Sequence, residues 1–360
     1  MAQFDLPLDD LRVYRPERHE PADFDEFWRA TLAAARSAAF PARFEPFDAG
    51  LTTVDAFDVT FAGFGGDPIK AWLLLPASRD ARLPCVVEYL GYGRGRGHPV
   101  EWLTWASMGY AHLVVDARGQ GGQWSPGETP DPHPAGGPQH PGFLTRGIED
   151  PQNYYYRRLI ADSVRAVDTV VDHPAIDRSR IVASGTSQGG GLALAVAGLS
   201  SDVAVLLADV PFLSDIRRAV TITDALPYAE LAGYLRIQRL AVDSAFATLD
   251  YVDGVNFAVR ATARSLFSVG LMDVICPPST VFAAFNHYAG PKRISVWPYN
   301  GHDGGGIPHI LERADLLRSL WPRSAEAVPG TSQGRSDVSG ANCPRRLRSG
   351  AIPSSDSKGV

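Results

Sequence analysis

Residues 185–189 read Gly-Thr-Ser-Gln-Gly, a Gly-x-Ser-x-Gly pattern whose serine could serve as a nucleophile. Its flanks give the pattern meaning. An apolar run at 181–184 precedes it and a small-residue stretch follows through 197, so the segment reads as a buried strand, a tight turn and a helix. In such a turn the serine takes a strained backbone conformation, and glycines two residues before and after it keep side chains from colliding. Residues 330–334 repeat the pattern around Ser332, but no apolar strand or helix flanks them, so Ser332 is set aside.

A serine hydroxyl at its ordinary pKa is a poor nucleophile, so a histidine base and an acid to orient it are needed, in the order Ser, acid, His. Of nine histidines, only His287, His302 and His309 follow Ser187. His302 lies in the glycine loop 298–306 just after an apolar run at 294–297, whereas His287 falls in an apparent helix and His309 opens the last one. Asp273 follows the run 266–270, where a parallel sheet gathers its functional loops beyond the strands' carboxyl ends. Asp303 is the competing acid, but side chains adjacent in sequence diverge, and Asp273 is preferred. A tetrahedral intermediate also needs two donors for its oxyanion. The Gln188 backbone N–H is one candidate, and the Tyr92 N–H, in the glycine-rich loop 91–97, is the other.

That loop also invites a dinucleotide-binding reading, with Asp116 at the end of the next strand. The spacing fails, because the sixth position is Arg96 counted from Gly91 and His98 counted from Gly93. His133 and His140 lack metal-ligand spacing, and Cys85, Cys276 and Cys343 are an odd, scattered set suited to a reducing cytoplasm. Neither metal nor cofactor is expected. A net charge of -6, from 40 acidic and 34 basic residues, argues against a nucleic-acid or anionic-membrane partner, and no signal peptide or spanning segment is read.

The elements that position these residues follow from periodicity. An amphipathic helix is expected at 23–39, an antiparallel strand pair at 53–61 and 69–75, and short apolar runs at 85–90, 111–116, 181–184, 203–210, 266–270 and 294–297. Helix-length segments lie between most of them, and the clearest is expected to start at Asp150 and Pro151 and run to 171. This alternation predicts an α/β class with a mostly parallel, doubly wound sheet and helices on both faces. Helical spacing at 216–225, 228–240 and 244–252 departs from the rhythm and reads as a helical insertion, at about 212–263, before the acid-bearing strand. Residues 1–323 are expected to form one domain, and 324–360, rich in serine and glycine, a disordered tail.

These stretches together resemble the acetyl xylan esterase and cephalosporin C deacetylase family, the seventh carbohydrate esterase family of the α/β-hydrolase superfamily. The similarity rests on Gly91-Tyr92-Gly93, Arg118-Gly119-Gln120-Gly121, Asp150-Pro151 with Tyr154-Tyr155-Tyr156, residues 185–190, Gly270-Leu271-Met272-Asp273 with Cys276-Pro277-Pro278, and Tyr299-Asn300-Gly301-His302, in order over about 1–322. The resemblance implies Ser187, Asp273 and His302 as a triad, the Tyr92 and Gln188 amides as oxyanion donors, deacetylation of sugars and cephalosporin C, a small acetylated substrate as partner, a cytoplasmic setting and a hexamer. The family's usual His-Glu is His302-Asp303 here. Arg118, Gln120 and the three tyrosines are read as structural. A broader carboxylesterase or peptidase-like hydrolase is the alternative within the fold, and an inactive binding scaffold the alternative outside catalysis.

Overall fold

A computed structural model of the chain describes residues 2–132 and 142–322. The expected tail from 324, with Ser332, lies outside the described residues, as do His133 and His140. The chain divides into two units, 1–316 and 317–360, and of the second only the last turn of the helix Gly306–Leu320 and two further residues are described.

The first unit is built on a nine-stranded sheet: β1 Arg43–Phe47, β2 Val54–Ala62, β3 Pro68–Pro76, β4 Leu83–Tyr89, β5 Ala111–Val115, β6 Ile176–Thr186, β7 Val203–Asp209, β8 Arg264–Gly270 and β9 Lys292–Trp297. Their spatial order is β1-β2-β3-β5-β4-β6-β7-β8-β9. The first three strands and the β3–β5 pair run antiparallel, and every pairing from β5 to β9 is parallel. Parallel strands covered on both faces read as unbroken apolar runs. β5 (Ala-His-Leu-Val-Val) is buried at all five positions. With helices on the faces and the β4/β5 swap in strand order, this is the α/β-hydrolase fold.

The helix Phe24–Ser37 buries Phe24, Phe27, Trp28, Thr31, Leu32 and Ala35, the stripe its periodicity dictates. Between β7 and β8 come the helices Ile216–Ile222, Tyr228–Ile237, Val242–Leu249 and Gly254–Ala258, which form the insertion. They are shorter than their apolar periodicity: the first stops at Ile222, where Thr223 is already extended and its hydroxyl accepts the Ala225 N–H to make a turn.

One helix start is corrected, and one strand had not been expected. The helix begins at Tyr155, not Asp150, because the Asp150 carboxylate accepts the Gln152 N–H at 2.8 Å and an Asn153 amide at 2.7 Å and so closes a separate turn. β1 was not read from the sequence. It is a largely exposed edge strand containing Pro46, tolerated there because an edge leaves one side of the ladder open.

Candidate active site

The nucleophile candidate sits where β6 turns into the helix Gln188–Leu199. Ser187 has φ 60° and ψ -121°, a left-handed-side conformation that L-residues rarely adopt. The neighbouring chain holds it there. Its N–H donates to the Asp209 carbonyl at 2.9 Å, and its carbonyl accepts from Gly191 N–H and Phe212 N–H, each at 3.0 Å. The two motif glycines are required by close approach: a Cβ on Gly189 would lie 2.0 Å from the Tyr89 carbonyl oxygen, and one on Gly185 2.3 Å from the Gly189 carbonyl.

β4 and β6 pair in register with Tyr89 opposite Gly185, so the loop after β4 emerges beside the serine turn. Tyr92 lies in that loop, one residue before Gly93, whose φ of +77° completes the turn. Gln120 ties the segments of both oxyanion candidates together, bonding Gln188 and the residue after Tyr92. Its side-chain oxygen accepts the Gly93 N–H at 2.6 Å, while its amide nitrogen donates to the Gln188 side-chain oxygen at 2.9 Å and the Tyr155 hydroxyl at 2.8 Å. Tyr156 donates to the same Gln188 oxygen at 2.9 Å, and the Gln188 amide reaches the Leu90 carbonyl at 3.1 Å. Gln188 opens its helix, so its backbone N–H is among those lacking a partner one turn back.

The acid and base candidates converge from β8 and β9. Met272 N–H donates to the Asn300 carbonyl at 3.0 Å, and a Cβ on Gly270 would lie 2.2 Å from the Gly301 carbonyl oxygen, so the loop after β9 packs directly on the segment after β8. This puts His302 Nδ1 2.8 Å from Asp273 Oδ2. Asp273 is fully buried, and its other oxygen accepts Ile275 N–H at 2.8 Å and Cys276 N–H at 3.0 Å. A carboxylate only accepts, so Nδ1 carries the proton and Nε2 is left as a base. Asp303 turns back into its own loop, accepting Gly301 N–H at 3.1 Å and the Asn300 amide at 2.7 Å. The other late histidines stand elsewhere: His287 bonds the Pro16 carbonyl, and His309 is buried against Asp209.

Ser187 and His302 line one cavity of about 580 Å³, together with Tyr92, Trp102, Trp124, Ile275, Leu226 and Glu230. The sequence reading missed several of these. The inserted helix Tyr228–Ile237 carries Glu230, which accepts the Tyr92 hydroxyl at 2.6 Å, while that hydroxyl accepts Gly142 N–H and Phe143 N–H. Burial, and then the bond to Glu230, push the Tyr92 phenol far above its usual range, so it stays protonated. Glu88 is also on the wall. Burial alone would raise its carboxyl, but the hydrogen bond and charge of His112, 3.0 Å away, outweigh that and hold it low. Trp124, at 76% exposure, stands at the mouth. Its loop, 121–126, shows no helical or strand periodicity by which it could have been found.

Arg118 is fully buried and ties its loop by ion pairs to Asp162 of the helix Tyr155–Val171 and to Asp67 and Asp131. The three consecutive tyrosines are likewise fully buried and pack among themselves. Among the described residues no cluster of three or more His, Cys, Asp or Glu could hold a metal, and no helix is long and apolar enough to cross a membrane.

Residues 1–314 match the family described as acetyl xylan esterase (AXE1). An acetyl xylan esterase from Paenibacillus sp. R4 superposes with a TM-score of 0.81 at 40% identity, covering 87% of this chain and 99% of that one. Acetyl xylan esterase 1 from Thermoanaerobacterium sp. JW/SL YS485 gives 0.80 at 32% identity, covering 88% and 100%. Acetyl esterase Axe7A of Xylanibacter ruminicola is 29% identical over 305 residues, which cover 81% of this chain and 65% of that relative, so the chain spans less than two thirds of its length.

Proposed function

The chain belongs to the acetyl xylan esterase family, and from that premise we propose that it removes acetyl groups from acetylated xylo-oligosaccharides through an acetyl-enzyme on Ser187. The observation that carries the reading is one cavity lined by a strained serine and by a histidine whose far nitrogen is bonded to a buried aspartate.

His302 Nε2 accepts the Ser187 proton as Oγ attacks the acetyl carbonyl, and the buried Asp273 carboxylate stabilises the imidazolium that forms. The Gln188 and Tyr92 backbone N–H groups take the oxyanion. His302 then gives the proton to the leaving sugar oxygen, which departs as a hydroxyl when the ester C–O bond breaks. Water, activated by the same nitrogen, attacks the acetyl-enzyme and releases acetate. Losing one oxyanion donor typically costs about 3 kcal/mol, which is why Gln120 holding both segments matters to rate.

A cavity of about 580 Å³ far exceeds an acetyl group, so most of it is left for the alcohol side of the ester. We extend the proposal to other acetyl esters, for which the cavity leaves room, and to cephalosporin C among them because the family resemblance implies it. Acyl selectivity is tested with acetyl, butyryl and octanoyl esters of one alcohol. Each added methylene that does not fit costs about 1–3 kcal/mol, so the acetyl ester is expected to be fastest. An octanoyl optimum would remove the deacetylase assignment and leave a general carboxylesterase.

A further inference from the structure

His309 is one of three histidines that could have served Ser187, yet it is buried and absent from the cavity lining. Its Nε2 lies 2.8 Å from Asp209 Oδ1, and Arg313 Nη1 donates to Asp209 Oδ2 at 2.8 Å. Glu312 accepts from Ser295 and stands 3.4 Å from the other ring nitrogen. Asp209, His309 and Arg313 are all nine-tenths or more buried. Taking ionised groups out of water yields little net stability even when they are paired, so a cluster of this kind is poorly explained as a device for holding the fold together.

Its location offers another explanation. Asp209 is the last residue of β7, opposite Thr186 of β6 on one side and Ser268 of β8 on the other. Its main-chain carbonyl accepts the Ser187 N–H, and Phe212, three residues on, donates to the Ser187 carbonyl. The strained serine peptide is therefore clamped at both ends by the exit of β7. Asp209's side chain reaches the other way, to the helix that starts at Gly306, four residues after His302. The base loop also rests on this exit: a Cβ on Gly304 would lie 3.1 Å from Val210 Cγ1.

We infer that Asp209, held by His309 and Arg313, is a positioning residue that ties the Ser187 turn and the His302 loop into one register. Its main chain fixes the nucleophile, and its carboxylate fixes the helix that anchors the base. This rests on the reading of Ser187 and His302 given above.

The test uses the full chain with Asp209→Asn, His309→Gln, Arg313→Met and Arg313→Lys. For each, folding is followed by circular dichroism, competent sites are counted with a serine-reactive phosphonate, and kcat and KM are measured on an acetyl ester. Misplacing reacting groups by about 1 Å can cost about 100-fold. Asp209→Asn and Arg313→Met are therefore expected to lower kcat per titrated site by about 10- to 100-fold and to slow phosphonylation in parallel. KM is expected to stay within about twofold, and Arg313→Lys to recover most of the Arg313→Met loss. If Asp209→Asn does not fold, His309→Gln and Arg313→Met, which each remove one strut, carry the same comparison. A lowered unfolding midpoint with kcat per site unchanged would overturn the inference and leave a purely structural cluster. Ser187→Ala separates the two levels. If it retains activity, the inference falls with the reading beneath it; if it is inactive while the Asp209 series turns over at the wild-type rate, the inference alone falls.

Discussion

Asp273→Asn is nearly isosteric and tests the base assignment through the chemistry of one atom. Asp273 Oδ1 accepts two backbone N–H groups, from Ile275 and Cys276, and Oδ2 accepts His302 Nδ1. An asparagine has one oxygen and one NH2 to divide between these sites. Turning the NH2 toward Ile275 and Cys276 would leave two buried donors unmet, at about 1–3 kcal/mol each. The oxygen therefore stays with the backbone and the NH2 faces the imidazole. Nδ1 must then accept, which moves the ring proton to Nε2 and removes the base. In a triad this wrong tautomer lowers kcat by about 10⁴-fold, or about 5 kcal/mol of barrier. The assay is acetyl-ester hydrolysis at neutral pH, with circular dichroism confirming the fold. Asp303→Asn is the control, since among the described residues its carboxylate bonds only within its own loop and one lost hydrogen bond is worth about 0.5–1.5 kcal/mol. An Asp273→Asn enzyme keeping more than about a tenth of wild-type activity, or an Asp303→Asn enzyme equally crippled, would refute the reasoning.

Cys85 and Cys276 are both buried; burial pushes the Cys85 thiol up to about 12, and burial with the nearby Asp273 charge pushes Cys276 well above its usual value. Of the three cysteines, a disulfide reagent is expected to modify at most Cys343 in native protein and all three after unfolding; rapid native modification of Cys85 would contradict this burial. Burial alone would raise the Asp5 carboxyl, but bonds from Ser279 and Arg218 outweigh it and hold the pKa low. Its contribution to stability is then present above the ordinary carboxyl pKa of about 4 and lost as pH falls through the lower folded value. The urea midpoint of Asp5→Asn is expected to lie below wild type at neutral pH, with the gap closing in acid; a gap that widens in acid would reverse the sign. Trp124→Ala is expected to raise KM for an acetylated xylo-oligosaccharide by up to about tenfold, since aromatic contacts carry about 0.5–1.5 kcal/mol beyond burial, and to raise it less for a small aryl acetate. Equal effects on both would exclude a sugar contact at the mouth. Light scattering is expected to give a particle several times the 38.8 kDa chain, as the family resemblance implies, and a monomer would count against that assembly.

What was legible in the sequence was local or tied to strand ends. The Ser187 turn could be read because strand, glycines and helix are contiguous, and His302 could be matched with Asp273 because both follow apolar runs. The Asp150 helix start was misplaced because an aspartate can cap a turn as readily as a helix, and its side chain chose Gln152 and Asn153. β1 escaped notice because an exposed edge needs no apolar pattern. Glu230 could not be foreseen at the cavity, since only the folded insertion brings it to Tyr92, 138 residues away in sequence. Asp209 was hidden for the same reason: its partners lie 100 and 104 residues further on.

The central claim is that Ser187, and not the patterned Ser332, attacks an acetyl ester of a sugar. Acetate release from acetylated xylo-oligosaccharide is measured for wild type, Ser187→Ala and Ser332→Ala. Wild type and Ser332→Ala are expected to release acetate at the same rate, and Ser187→Ala to lose on the order of 10⁶ in kcat, as removal of a triad nucleophile does elsewhere. Undiminished release by Ser187→Ala would contradict the account.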